Sequence, residues 1–355
     1  MPQRLTRTAP WILLAVAVVA SVALVVASGE DLRSLAALRP GPLLALLALQ
    51  VVYLGVQSMR FHVVLVRFAR RPVGVVPWTR LFVLGRFLNL FVPQAGNVYR
   101  AVELRRRFGV TIQDFLVAFV NAPWLAMILN FAFGAAFVAA FARDVEVGGW
   151  PLWASLSAAT GATAAAPLLA LAILPLFPER LRATAWARAR LAEMVAVTLE
   201  SVREGRYLLR VTAWTAAAFV QASVLVWVSF VALDVPAGVA EAVAFYVLLQ
   251  VATYVQVTPG NLGVQELAFA ALSAGFGASA ADGVVVSGIV RVTGVAALLV
   301  TALPAGGLEA LRATRAGAVA AEADGVRGAS VARPQVGTAG RSARGDRDGG
   351  GSAAP

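Results

Sequence analysis

Eight stretches of mostly apolar residues constrain this chain more than any other feature of its sequence. A helix that crosses the hydrocarbon core of a membrane needs about 20 such residues. The stretches are residues 11–27, 43–66, 115–140, 153–177, 211–233, 239–257, 264–278 and 284–303. The seventh is short and contains glycine, so it either spans the membrane or re-enters. The sequence therefore predicts an all-α, polytopic membrane helix bundle with about eight spans and additional re-entrant or broken helices.

The residue types that the chain lacks exclude several kinds of site. Neither lysine nor cysteine occurs, and His62 is the single histidine. The absence of lysine excludes a P-loop and a Schiff base. The absence of cysteine excludes a thiol nucleophile, a disulfide and a zinc ribbon. We therefore expect no cofactor, no metal site and no catalytic residue of these classes.

The distribution of arginine predicts the orientation of the helices, because cytoplasmic loops carry more basic residues. Eighteen arginines fall in segments on one side of the predicted spans and three on the other. The net charge of +11 is therefore mainly a topology signal, and nucleic acid is not an expected partner. We expect a multi-pass protein of a bacterial cell (inner) membrane, with both termini in the cytoplasm.

The arginine count also indicates how the ambiguous stretch at residues 75–92 is placed in the membrane. Residues 75–92 are apolar but have arginine-rich segments at both ends, so we expect a re-entrant hairpin there rather than a crossing. A transmembrane domain is predicted at residues 1–310. Residues 311–355 contain no aromatic side chain and consist mainly of small and polar residues. Such a composition cannot bury a core, so a disordered cytoplasmic tail is expected.

Helix breakers and polar residues occur together at the end of residues 75–92. Irregular backbone at membrane depth is tolerated only where protein buries it or where it lines a watery cavity. Ionisable side chains at that depth are costly, so each is a candidate functional residue. The breakers are Pro93 and Gly96, and the candidate site residues are Arg86, Asn89, Asn97, Arg100 and Glu103.

A second break repeats the order Pro, Gly-Asn and then Glu-Leu, with different spacing. Paired breaks point to a midplane binding site in transporters built from repeats, and chance explains the likeness equally well. Glu266 either caps its own helix or belongs to a head-group or ion site. Arg291 lies within the last span and needs an acidic partner, and we predict that this partner is Glu266. The breakers are Pro259, Gly260 and Gly263, and the other candidate site residues are Asn261 and Gln265.

Two spans carry polar faces away from these breaks. Gln50, Tyr53 and Gln57 share one face of the second span, and Tyr246 and Gln250 share one face of the sixth. Such faces look inward, where they either form hydrogen bonds between helices or line a cavity.

The order of these motifs resembles the lysylphosphatidylglycerol synthase transmembrane family, also called flippase-like membrane proteins. The likeness rests on Gly-Arg-Phe-Leu-Asn-x-x-x-Pro-x-x-Gly-Asn-x-x-Arg from Gly85 to Arg100, and on Pro-Gly-Asn-Leu-Gly-Val-Gln-Glu from Pro259 to Glu266. It extends over roughly residues 10–305, through Gly-Phe-Gly at 275–277 and Arg291. Asn97 stands where the family usually has an acidic residue, which puts a carboxylate role there in doubt.

The resemblance implies an eight-span bundle that moves a lipid between leaflets, while a separate soluble domain makes that lipid in bifunctional members. Only the predicted tail follows the last span here, so we expect no synthase activity. The resemblance favours as the functional core Arg86, Asn89, Pro93, Gly96, Asn97, Arg100, Gly260, Gly263, Glu266 and Arg291.

The resulting prediction is a lipid translocase for a phospholipid or another lipid with a charged head group. Arg86, Arg100 and Arg291 would hold phosphate, and Glu266 would hold a cationic group or balance Arg291. The sequence has no ATP-binding motif, so movement would be passive, ion-coupled or driven by a partner. The expected partners are membrane lipids, with lipid-synthesis or envelope proteins as further candidates. The alternatives are a membrane-embedded glycosyltransferase or lipid-modifying factor, with Glu103 or Glu266 as base, and a scaffold of an envelope-synthesis complex.

Overall fold

The computed structural model describes residues 40–69, 72–91, 94–147, 149–173, 203–235, 238–254 and 264–310, with a few isolated positions between 189 and 200 and Arg312. The chain divides into two units, Met1–Leu311 and Arg312–Pro355, and all but one of the described residues belong to the first. Several predictions fall outside the described residues: the span at 11–27, the tail after residue 312, and the positions Pro93, Pro259, Gly260, Asn261 and Gly263.

The described residues form helices almost throughout, with one short pair of strands between two of them. The helices are α1 (Pro40–Phe68), α2 (Val75–Leu88), α3 (Ala95–Phe108), α4 (Ile112–Phe141), α5 (Leu152–Ile173), α6 (Gly205–Val231), α7 (Val239–Tyr254), α8 (Val264–Gly275) and α9 (Ala280–Ala302). The strands β1 (Glu146–Val147) and β2 (Trp150–Pro151) pair antiparallel between α4 and α5.

Helix length and composition confirm a membrane helix bundle. Five described helices are long and apolar enough to cross a membrane: α1, α4, α5, α6 and α9. The apolar stretch Val239–Gln250 of α7 is shorter. Helix α8 has 12 residues. It therefore reaches about 18 Å, whereas the hydrocarbon core is about 30 Å thick. The count of eight spans is not established, because residues 11–27 are not described and α8 is too short to cross alone.

Two apolar clusters hold the bundle together. The larger joins α4, α5, α6, α7, α8 and α9 and includes contacts between the rings of Phe245 and Phe269, whose centroids lie 4.7 Å apart. The second packs α1 and α2 against the first halves of α4 and α6 around Trp78, which is fully buried. The indole Nε1 of Trp78 donates to the carbonyl oxygen of Ser58 at 2.8 Å, so α2 is tied to α1.

Helix α9 begins with a capping box, in which two side chains satisfy backbone donors that the first turn leaves free. The hydroxyl of Ser279 accepts from the backbone N–H of Asp282 at 3.0 Å, and the carboxylate of Asp282 accepts from the N–H of Ser279 at 3.2 Å. The box fixes the start of the helix that carries Arg291.

We expect Ser279→Ala to lower the free energy of unfolding by about 1 kcal/mol, because it removes one cap hydrogen bond. Thermal unfolding in detergent measures the change as a lower Tm. Ser155→Ala is the matched control: Ser155 is exposed on α5, and its hydroxyl donates to the carbonyl oxygen of Pro151, four residues earlier, and caps no backbone N–H among the described contacts. An equal Tm for Ser279→Ala and Ser155→Ala would contradict the capping role.

Candidate functional site

Helices α2 and α3 fold back on each other as a hairpin. Residues 75–88, within the stretch that was predicted to turn back on itself, form one continuous helix instead, and α3 supplies the returning arm. Gly85 of α2 and Gly96 of α3 meet where the two helices touch. A Cβ atom on Gly85 would lie 2.9 Å from the carbonyl oxygen of Gly96 and 2.8 Å from Nε of Arg100. A Cβ atom on Gly96 would collide with the carbonyl oxygen of Gly85. The two glycines therefore permit a backbone approach that no other residue allows.

Polar side chains close the turn between the two helices. The side-chain oxygen of Asn89, at the end of α2, accepts from the backbone N–H of Gly96 at 2.7 Å. Gln94 precedes α3 in the left-handed region with φ of 65°, and its side-chain oxygen accepts from the amide of Asn97. Asn89 and Asn97, both predicted site residues, thus hold the hairpin in shape.

Arg100 is buried inside the hairpin, with 5% of its surface exposed. Its Nε donates to the carbonyl oxygen of Gly96 at 3.2 Å, and its Nη2 donates to the side-chain oxygen of Asn97. The guanidinium lies 5.9 Å from the ring centroid of Phe61 and 5.4 Å from that of Phe82. Arg100 remains cationic at neutral pH, because the guanidinium of arginine is not deprotonated in proteins.

Arg86 is exposed and, like Arg100, lies near the Phe82 ring. Its guanidinium carbon is 5.7 Å from the Phe82 centroid, so Arg86 and Arg100 share one aromatic ring. Among the described side chains, no carboxylate forms an ion pair with either of them. The hairpin therefore carries two neighbouring positive charges that a bound anion would stabilise.

Glu103 is held by arginines of its own helix and not by Arg100. Its two carboxylate oxygens pair with Arg107 and, at 3.8 Å, with Arg106. Residues three and four positions apart are neighbours on a helix, so these long side chains reach Glu103 directly. Arg106 and Arg107 therefore neutralise the Glu103 carboxylate within α3.

Glu266 and Arg291 form the predicted pair. Nε of Arg291 on α9 donates to Oε1 of Glu266 on α8 at 2.7 Å. The two side chains are 21% and 13% exposed, so water screens the pair only in part. Gln265 is half-buried beside Glu266 in the first turn of α8. The pair joins the helix that follows the second break to the last span.

The structure thus gathers the predicted residues into two groups. Arg86, Asn89, Gly96, Asn97 and Arg100 meet in the α2–α3 hairpin, and Glu266 meets Arg291 between α8 and α9. Phe61 and Phe82, whose rings lie near the Arg100 guanidinium, were not among the predicted site residues. No spacing signal identifies them, because Phe61 lies on a different helix from both Phe82 and Arg100.

The likeness of this chain to known proteins lies at the level of the family. No curated protein and no solved structure matches the chain. The family described as lysylphosphatidylglycerol synthase TM region matches residues 12–302, which include every helix from α1 to α9. The chain therefore belongs to the lysylphosphatidylglycerol synthase transmembrane family.

Proposed function

We propose that this protein moves a lipid with a charged head group, in the simplest case a phospholipid, between the two leaflets of the membrane. The observation that carries the proposal is Arg86, an exposed guanidinium beside buried Arg100, with no acidic partner among the described side chains. Arginine presents donors in a planar fork that matches phosphate oxygens. The exposed face of the hairpin therefore suits the phosphate of a lipid head group.

The two arginines contribute differently to such a site. Arg86 is free to form direct hydrogen bonds with phosphate, because its described contact is the face of Phe82. Arg100 bonds to Gly96 and Asn97, so it shapes the hairpin and adds a positive charge behind Arg86. A charge held in place by packing attracts an anion without having to reorganise when the anion arrives.

The Glu266–Arg291 pair supports one of the two roles predicted for Glu266. Because the carboxylate already bonds to Arg291, it balances that cation within the bundle. A phosphate that approaches Arg291 would compete with Glu266 for the same donors. We propose that this ion pair is a second polar contact site for the lipid head group. We also propose that the protein lies in the inner membrane with both termini in the cytoplasm.

Proteoliposomes test the function directly. The purified full chain is reconstituted with a fluorescent phospholipid, and a membrane-impermeant quencher is added outside. We expect leaflet exchange to be faster than in liposomes without protein. Exchange at the rate of empty liposomes, for anionic and zwitterionic phospholipids alike, would leave the proposal without support and favour a scaffold role.

We expect Arg86→Gln to slow exchange by at least about tenfold, because a charge-assisted hydrogen bond contributes about 1.5–3 kcal/mol. Arg105→Gln is the matched control, since Arg105 is also exposed and basic but lies in the last turn of α3. Exchange rates of the two variants are compared at equal protein density. Equal rates for Arg86→Gln and Arg105→Gln would remove Arg86 from the site.

The enzyme alternative depends on Glu103 or Glu266 as a base. Both carboxylates form ion pairs with arginine, at 2.7 Å in the case of Glu266. A carboxylate whose oxygens already accept hydrogen bonds from arginine is poorly placed to accept a proton from a substrate. The geometry therefore favours lipid movement over lipid modification.

A further inference from the structure

Three helices meet in a layer of close contacts in the middle of the larger apolar cluster. The ring of Phe219 on α6 lies 5.7 Å from the ring of Phe133 on α4 and 5.7 Å from the ring of Tyr246 on α7. Beside them, Gly134 of α4 packs against the side chain of Val247 on α7. This layer fixes the relative heights of α4, α6 and α7.

Three polar side chains lie one helical turn from that layer. Helices α4 and α6 run parallel, since both contribute their first halves to one apolar cluster and their second halves to the other. Helix α7 packs against α6 after a short connection and runs the opposite way. Four residues back along α4 and α6, and four residues on along α7, are Asn130, Thr215 and Gln250. All three are therefore at the same height in the bundle.

Two of these side chains are fully buried without a hydrogen-bond partner. Asn130 and Thr215 each have 0% of their surface exposed. Among the described residues, nothing bonds to the side-chain nitrogen or oxygen of Asn130 or to the hydroxyl of Thr215. Buried polar groups in folded proteins nearly always bond to protein or to ordered water. A species with both donors and acceptors is therefore expected at this height.

The charges of the surrounding helices indicate that this species is neutral. The described charged side chains on α4, α6 and α7 lie in the first two turns of their helices: Asp114, Arg206, Arg210 and Glu241. The nearest along its own helix is Arg210, five residues before Thr215, and it is exposed on a different side of α6. Amide and hydroxyl groups without a nearby charge match the donors and acceptors of water better than those of an ion.

We propose that Asn130 and Thr215, with Gln250, line an internal chamber that holds water between α4, α6 and α7. The inference goes beyond lipid movement and does not depend on it. Gln250 belongs to the inward polar face of the sixth predicted span. That face would therefore contact the water in the chamber.

Single cysteines test the chamber, because the chain contains none and the unmodified protein is its own blank. Asn130→Cys and Thr215→Cys are compared with Ala222→Cys, whose site lies in the apolar cluster. The full chain in liposomes is moved from H2O into D2O, and the infrared S–H stretch follows the exchange of the thiol proton for deuterium. Since that proton exchanges only with water, we expect exchange to be about tenfold faster in the first two variants than in the third. Equal rates in all three would overturn the proposal.

A second variant keeps the proposal testable if a cysteine disturbs folding. Asn130→Leu has a similar volume but no polar atoms. In a hydrated chamber the substitution places an apolar side chain against water, so Tm in detergent stays equal or falls. In a dry site it removes an unsatisfied amide, and a raised Tm would contradict the proposal. Neither readout measures lipid exchange, so either hypothesis can fail alone.

Discussion

Gly96→Ala is expected to destabilise the α2–α3 hairpin by about 3 kcal/mol or more, among the larger effects of a single substitution. The added Cβ atom would collide with the backbone carbonyl of Gly85, and a backbone atom cannot move aside as a flexible side chain can. The two helices must then separate. Separation breaks the bond from the N–H of Gly96 to Asn89 and opens the pocket that holds Arg100.

Gly55→Ala is the matched control for Gly96→Ala. Gly55 lies within α1, and a Cβ atom there has no neighbour within 4 Å. Alanine in a helix interior stabilises by about 0.5–1 kcal/mol relative to glycine, so Tm is expected to hold or rise. Thermal unfolding in detergent compares the two variants, and equal Tm values would show that the glycine contact is not close in solution.

The second large effect concerns the Glu266–Arg291 pair. Removing one member of a largely buried ion pair takes its direct partner from the other charge, which costs about 3–5 kcal/mol. We therefore expect Glu266→Gln and Arg291→Gln each to lower stability strongly. The double variant is expected to lose less than the sum of the two, because a single substitution already removes the shared interaction.

A double-mutant cycle measures the coupling, with denaturant or thermal unfolding as the readout. The Arg67–Glu204 pair is the control: its charged groups are 3.5 Å apart and its side chains are 34% and 55% exposed. An exposed pair of this kind contributes about 1 kcal/mol or less. Full additivity for Glu266 and Arg291, or no rescue by the charge swap Glu266→Arg with Arg291→Glu, would show that the contact contributes nothing.

The sequence predicts those features of the site that follow from local pattern or from charge. The Glu266–Arg291 pair follows from the need of an intramembrane cation for an acid, and the structure contains it. The hairpin predicted within residues 75–92 is wrong in its bounds: that stretch is the helix α2, and α3 forms the second arm. The predicted bounds of the long helices also lie close to their bounds in the structure. In a membrane protein an apolar stretch long enough to cross the membrane must be a helix, so hydropathy predicts the helix bounds as well.

The sequence pattern does not predict contacts between segments that lie far apart along the chain. Arg100 lies between the rings of Phe61 and Phe82, and nothing in the spacing of these residues shows that their helices meet there. Asn130 and Thr215 are ordinary polar residues within apolar spans, and their common height emerges only from the packing of α4, α6 and α7. The packing of the helices determines which of these side chains lie near one another. The residue pattern within any one segment of the sequence does not show it.

The most direct test of lipid movement is the extent of quenching in proteoliposomes that carry the full chain. An impermeant quencher removes the fluorescence of the outer leaflet alone when the labelled lipid cannot cross. If the protein exchanges the lipid, fluorescence falls well below that level, and with Arg86→Gln it falls more slowly. Fluorescence that stops at the level of empty liposomes, for every charged phospholipid tried, would contradict the account.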